Sequence, residues 1–457
     1  MNGRELVLAA IRGEKTERVP WVPFCGVHCA SLIGKTAEEY LKSGALMTAG
    51  LEAAIARYQP DGIPVIFDLQ LEAEIFGCGL HWNRDNPPSV MTHPLQEGVS
   101  LDSLAPPTAG QGRIPEVVAT IRALRAAHPE LALYGLITGP FTLALHLLGT
   151  DIFMQMFDDP DAVKRLLAFG AKVGKAMSRI YLEAGCDVIA VVDPMTSQIG
   201  PEQFVEFCTE PLRGVFEHVR DCGGLGSLFV CGHAQKNIEV MADTHCDNIS
   251  IDENIPLDYV RDICRARGIS FGGNLQLTVV MLLGDERANQ INAVQCLDVA
   301  GDAGGFILAP GCDIPFATPS ANIAAVGAVA RDPYVRDIAR HLAAVPAELS
   351  IAKVDLSGHV VPDKLKIDIV TLDSLGCAPC QYMVAAARSA AERYGDAVAI
   401  AEHKIKVRDG LAMMAALGVR NIPTLCMDGE IVFVSAIPSH KALAEAIEER
   451  LRAKGLR

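Results

Sequence analysis

At 457 residues the chain exceeds one ordinary core, and two domains are expected. A formal net charge of −15 weighs against nucleic acid and anionic membrane surfaces as partners, because the overall field repels phosphate. Half the residues are hydrophobic, yet charges interrupt every apolar stretch before the ~18 to 20 residues a bilayer span needs. The opening MNGRELVLAAIRGEK lacks a signal-peptide core, and the fourteen cysteines are scattered rather than gathered in a small framework. Reduced thiols and a cytoplasmic location follow as expectations.

Eight short apolar runs, each followed by a helix-length stretch, occupy 19–24, 62–67, 131–137, 187–192, 227–230, 247–251, 269–272 and 305–308. This rhythm predicts a (β/α)8 barrel, whose active site is built where the C-terminal strand ends converge. In chain order those ends deliver Cys25 and His28; Asp68, Glu72 and Glu74; Thr138; Asp193; Cys231 and His233; Asp252 and Glu253; Asn274; and Cys312 with Asp313. Helices are expected at 37–57, 115–127, 142–149 with 160–184, 201–221, 234–244, 257–267, 285–300 and 318–330. The Pro- and Gly-rich stretch 78–114 fits neither element and reads as a lid or a surface excursion. Cys78, Cys186, Cys208, Cys222, Cys246, Cys264 and Cys296 stand among apolar or helical neighbours and read as packing.

The barrel domain is expected over 1–340. Residues 341–363 lose periodicity and read as a linker. From Lys364 the order becomes strand, Cys377-Ala378-Pro379-Cys380, helix, strand, helix, hairpin about Asp428-Gly429, helix. This last domain, 364–457, resembles the thioredoxin-like family. A CxxC between strand and helix suits redox chemistry, because the unpaired N–H groups of a helix start stabilise a thiolate at the first cysteine. Cys377 is the expected nucleophile and Cys380 the resolving thiol; half a zinc site is the competing reading. The resemblance further implies a cis peptide at Pro423 in Ile422-Pro423-Thr424.

Residues 1 to about 335 resemble the uroporphyrinogen decarboxylase superfamily. The likeness is carried by Arg4-Glu5 with Ala9-Ala10-Ile11-Arg12-Gly13, by Arg18-Val19-Pro20, by GPFTLAL from Gly139 to Leu145, by Ala184-Gly185-Cys186-Asp187 with Asp193-Pro194, and by FILAPGCDIP from Phe306 to Pro315. The decarboxylases carry arginines after the first strand, whereas this chain reads PFCGVHCAS there, which disfavours porphyrinogen decarboxylation. The other large branch comprises cobamide-dependent methyltransferases with a zinc site. That resemblance implies Cys231 and Cys312 as zinc ligands and catalytic thiols. The branch's histidine position is Phe229 here, and a phenyl ring cannot bind a metal.

Three readings remain open at this point. His233 could be the third ligand; His28, Cys25 or Glu253 could be; or no metal binds and Cys231 with Cys312 form a thiol pair served by the C-terminal domain. Asp68, Glu72, Asp193, Asp252 and Asn274 would contact the cofactor or orient ligands. No Asp-x-His-x-x-Gly pattern occurs, so a methylcobamide would arrive on a separate corrinoid protein and pass its methyl group to a small thiol. Two competing functions are a corrinoid-free, thiol-dependent reductase or demethylase of a small sulfur or metalloid compound, and a non-catalytic barrel that positions the dithiol domain.

Overall fold

The computed structural model describes residues 1–343, 354–356 and 359–456. Much of the expected linker 341–363 lies outside them, and its first three residues continue the helix Pro333–Ala343. The chain divides into two compact units, Met1–Pro346 and Ala347–Arg457.

In the first unit seven parallel strands stand side by side in chain order: β1 (Gly62–Pro64), β2 (Ala132–Thr138), β3 (Val188–Val192), β4 (Leu225–Val230), β5 (Asn248–Ile251), β6 (Ser270–Leu275) and β7 (Phe306–Pro310). The expected strand at 19–24 is reduced to one parallel bridge from Trp21 to Leu308. Pro20 and Pro23 explain this, since neither has an N–H to give to a ladder. The segment still fills the eighth place. Val22 N–H donates to Leu308 O and Leu308 N–H to Pro20 O on one side, while Asp61 N–H donates to Trp21 O on the other. The sheet therefore curls into a TIM-type α/β barrel.

Helices follow from local signals. Pro160–Ala184 starts with a proline in its first turn behind the Asp159 cap and stops at Gly185. The helix expected over 37–57 breaks into Ala37–Leu41 and Gly44–Tyr58, because Ser43 turns extended and its hydroxyl accepts from Leu46 N–H. The excursion 78–114 holds a two-residue ribbon, Leu80–His81 against Ser89–Val90, and ends at Arg113. The barrel interior is filled by Val22, Phe24, Phe67, Tyr134, Leu136, Val192, Phe229 and Ile307 with their neighbours. Cys231 and Cys312 pack on the edge of this core.

The second unit has a four-stranded sheet in the order β9-β8-β10-β11, from β8 (Leu365–Thr371), β9 (Val398–Lys404), β10 (Thr424–Met427) and β11 (Glu430–Val434). β8 runs parallel to β9 and antiparallel to β10. Helices Ala378–Ala391 and His440–Ala453 pack on it through Met383, Val384, Ala387, Leu443 and Ile447. Among the described residues no helix is long and apolar enough to cross a membrane.

Candidate active site at the barrel mouth

Cys231 follows the last residue of β4 and Cys312 stands two past the end of β7. Although 81 positions separate them, their Sγ atoms are 2.6 Å apart. Both side chains are half-buried, and of the twelve free cysteines only Cys222, Cys231 and Cys312 are not buried. The Cys231 thiol is pushed well up by its hydrogen bond with Cys312, then by burial, and by the charges of Asp252 and Asp313. It is a neutral thiol at physiological pH.

The loops that carry this pair are held from behind. Asp252 Oδ2 accepts from Gly232 N–H at 2.8 Å, and its Oδ1 accepts from Asn254 N–H at 2.9 Å and Asn254 Nδ2 at 2.7 Å. Asn274 Nδ2 donates to the carbonyls of Asp252 at 3.2 Å and Ile255 at 2.7 Å. On the other side Gly311 N–H donates to Leu275 O. A Cβ at Gly311 would lie 2.5 Å from Glu253 N, so only glycine permits this approach. Glu253 accepts from Leu277 N–H, and burial beside Asp252 raises its carboxyl to about 8.

Asp193 and Glu72 support the neighbouring loops. Asp193 caps the helix Pro140–Leu148 from outside, with Oδ1 accepting from Thr142 N–H at 2.7 Å and Oδ2 from Phe141 N–H at 3.1 Å. A Cβ at Gly139 would strike the Asp193 side chain at 2.3 Å, which accounts for the glycine that opens GPFTLAL. Burial raises Asp193 to about 6 against the pull of these donors. Glu72 is 2 % exposed, and burial raises it to about 7. Its Oε1 accepts from Thr138 N–H at 3.0 Å, its Oε2 lies 2.7 Å from Thr138 Oγ1, and Thr138 Oγ1 lies 2.9 Å from Leu69 O. A single hydroxyl proton cannot serve both last contacts. With Glu72 protonated all are satisfied: Glu72 donates to Thr138, which donates to the carbonyl.

Asp68 is paired with Arg113, Nη1 to Oδ2 at 2.7 Å, and Arg113 Nε donates to Glu74 at 2.7 Å. Trp82 carries Arg113 and Lys42 on its ring at 5.0 and 4.1 Å. The excursion 78–114 is thus pinned at its far end to the mouth by a buried arginine. Sequence reasoning missed Arg113, since a lone arginine in a Pro- and Gly-rich stretch gives no sign of its acidic partners.

The expected third metal ligand does not join the two thiols. Phe229 is 1 % exposed and packs against Phe24 and Phe67, ring centroids 5.0 and 5.9 Å away. His233 is half-buried, and its Nδ1 has no hydrogen-bond partner. His28 belongs to the core: Nδ1 donates to Phe316 O at 3.2 Å, Nε2 meets Tyr58 OH at 2.7 Å, and burial lowers it to about 4. Cys25 is buried and its carbonyl accepts from the Cys29 thiol. Among the described residues no three His, Cys, Asp or Glu side chains are grouped to hold a metal. Two sulfurs on one zinc would lie roughly 3.8 Å apart, given Zn–S bonds of about 2.3 Å in tetrahedral geometry. The donor set therefore does not fit a protein-held zinc centre.

In the second unit Cys377 stands at the cap position of the helix Ala378–Ala391, half-buried, and Cys380 is fully buried one turn in. The two are joined in a disulfide. The approach to Cys377 is clamped by Glu402, which accepts from Ser374 N–H at 2.9 Å, Ser374 Oγ at 2.9 Å and Thr371 Oγ1 at 2.6 Å. The Ile422–Pro423 peptide is cis, as the resemblance implies.

A parallel barrel with paired thiols at its mouth, followed by a CxxC on a mixed sheet, defines the class. Residues 2–332 match the family model for uroporphyrinogen decarboxylase (URO-D), and residues 365–448 that for a thioredoxin domain. The chain belongs to the uroporphyrinogen decarboxylase family and carries a thioredoxin domain behind the barrel. It is 29 % identical over 338 residues to the methylcobamide:CoM methyltransferase MtbA of Methanosarcina mazei, covering 70 % of this chain and 95 % of that protein. It is 28 % identical over 341 residues to MtaA of Methanosarcina barkeri, another methylcobamide:CoM methyltransferase, with 72 % and 97 % covered. A solved methyltransferase structure from Methanosarcina mazei shares the fold, with a TM-score of 0.67 at 24 % identity over 74 % of this chain and 99 % of that one.

Proposed function

We propose that this chain transfers a methyl group from a methylcobamide, carried by a separate corrinoid protein, to a small thiol at the barrel mouth. The observation that carries this reading is the match to methylcobamide:CoM methyltransferases over 95 % or more of their length, together with the paired thiols at the mouth. The methylcobamide supplies the methyl carbon, leaving the electron pair of the broken carbon–cobalt bond on the metal. Carbon–sulfur bond formation requires the acceptor thiol to lose its proton, and the Asp252 and Asp313 carboxylates stand beside the neutral Cys231 thiol where that acceptor would bind.

The positioning roles follow from the contacts above. Asp252 and Asn274 hold the Cys231 loop, Gly311 and Glu253 the Cys312 loop, and Asp193, Glu72 and Asp68 the loops around them. Cys231 and Cys312 face the acceptor. Zinc has no part in this reading, because Cys231 and Cys312 lack a third donor among the described residues and His233 does not complete the set. Residues 341–363 join the two domains of a cytoplasmic protein, and Cys377 and Cys380 act as nucleophile and resolving thiol of a dithiol reductant for the barrel.

The test is direct. Full-length reduced protein with methylcobalamin and a panel of small thiols, coenzyme M included, should consume the methyl–cobalt absorbance only when a thiol is present, and the thioether should appear by mass spectrometry. Methyl–cobalt consumption that is the same without thiol, or none with any thiol, would remove the proposal. Metal analysis of the same preparation checks the donor set: stoichiometric zinc that depends on His233 would restore the zinc reading.

A further inference from the structure

Cys231 and Cys312 come from strands that are not neighbours, since β5 and β6 lie between β4 and β7. Their closeness is therefore a property of the closed barrel rather than of a flexible turn. Each loop is anchored by bonds that leave little play: Gly232 N–H to the Asp252 carboxylate on one side, and Gly311 wedged on the Glu253 backbone on the other. The sulfurs stand at 2.6 Å, inside the separation of two ligands on one zinc and inside ordinary sulfur–sulfur contact. The position at which the resemblance implies a histidine ligand is Phe229, which packs against Phe24 and Phe67. Nine of the other ten free cysteines are buried, so this is the one close pair among them that combines contact with partial exposure.

We infer that Cys231 and Cys312 form a reversible dithiol/disulfide site at the barrel mouth, exchanging with dithiols of the CxxC class. On oxidation the two thiols lose two protons and two electrons and one S–S bond forms, while the disulfide of the co-reactant takes up both and becomes a dithiol. On reduction the thiolate of a CxxC attacks one of the two sulfurs, a mixed disulfide forms, and the second CxxC thiol resolves it. Cys377 and Cys380, disulfide-bonded in this structure, supply a co-reactant of that class. Its consequence for methyl transfer rests on the proposed function: an S–S bond at the mouth removes both thiols from the acceptor's site.

The experiment uses full-length protein equilibrated in dithiothreitol redox buffers, quenched in acid, alkylated and analysed by peptide mass spectrometry, with half-buried Cys222 as internal control. Cys231 and Cys312 should leave the alkylatable pool together, in one two-electron transition with a mass loss of two hydrogens, while Cys222 stays labelled throughout. In Cys231→Ser, Cys312 should remain alkylatable at every potential. Labelling of both cysteines at all potentials would overturn the inference, and so would protection that persists under full reduction and disappears with a chelator. The alkylation readout needs no methyl donor. If reduced protein transfers no methyl group while the pair still titrates, the proposed function fails and the redox site stands.

Discussion

The two cysteine pairs of this molecule reach adjacency by opposite routes. Cys377 and Cys380 are three residues apart at the start of one helix, where the first stands at the cap position and burial shields the second. Cys231 and Cys312 are 81 residues apart on two strand ends, joined across the mouth by the closure of a barrel, and Cys231 is held neutral by its partner, by burial and by nearby carboxylates. On the proposed function the local pair attacks and is attacked, whereas the barrel pair is approached by something else and its reactivity is set by what reaches the mouth.

The comparison breaks most visibly if the barrel pair is only packing. Cys231→Ser should lower thiol-dependent consumption of methylcobalamin by about 10²-fold or more, the usual scale for a group that works on the reacting atoms, while far-UV circular dichroism stays unchanged. Activity within a few-fold of the unaltered protein would make the pair a structural contact.

The effect of burial beside the mouth can be probed at Glu72. Its pKa in the folded chain, about 7, exceeds the ordinary value of 4.5, so the protonated form stabilises the fold. That contribution is complete below about pH 4.5 and is lost as pH rises to about 7, a change of about 3 kcal/mol. Glu72→Gln keeps both contacts with Thr138 and needs no proton. The variant's Tm should therefore lose the decline between pH 4.5 and 7 and exceed that of the unaltered protein at pH 8. A parallel decline in both proteins would mean that Glu72 is ionised without cost.

A smaller effect is expected at Gly311. A methyl group there meets Glu253 N, and Gly311→Ala should cost about 1–3 kcal/mol of stability by forcing a backbone shift. The same shift should part the two sulfurs, so the paired loss of Cys231 and Cys312 from alkylation would require a more oxidising buffer. An unchanged transition would show that the loop yields without moving Cys312.

The smallest effect sharpens the other side of the comparison. In reduced protein Cys377 should be alkylated about tenfold faster than Cys380 across a pH series, because it is half-buried at the helix start and its partner is fully buried. Faster labelling of Cys380 at low pH would reverse the assignment of nucleophile and resolving thiol.

What could be read in the amino acids was whatever depends on short spacing. Alternating apolar runs and helical periods disclosed seven barrel strands close to their observed bounds, and the order of the last domain with its CxxC was legible throughout. Each of those features is made by residues within one element or the next, where backbone preference and side-chain period act directly. The eighth strand shrank to a single bridge because Pro20 and Pro23 withhold the N–H groups that a ladder needs, whatever the apolar pattern of the run. Which strand-end residues meet was a different matter. Cys231 and Cys312 came together, His233 and His28 did not join them, Asp193 turned to cap a helix and Asp68 to pair with Arg113. Those outcomes depend on barrel closure, on the packing of Phe24, Phe67 and Phe229 in the barrel interior, and on bonds between loops far apart in the chain. No local spacing encodes them, because burial and partner choice at the mouth are settled only when all eight segments are packed in one ring.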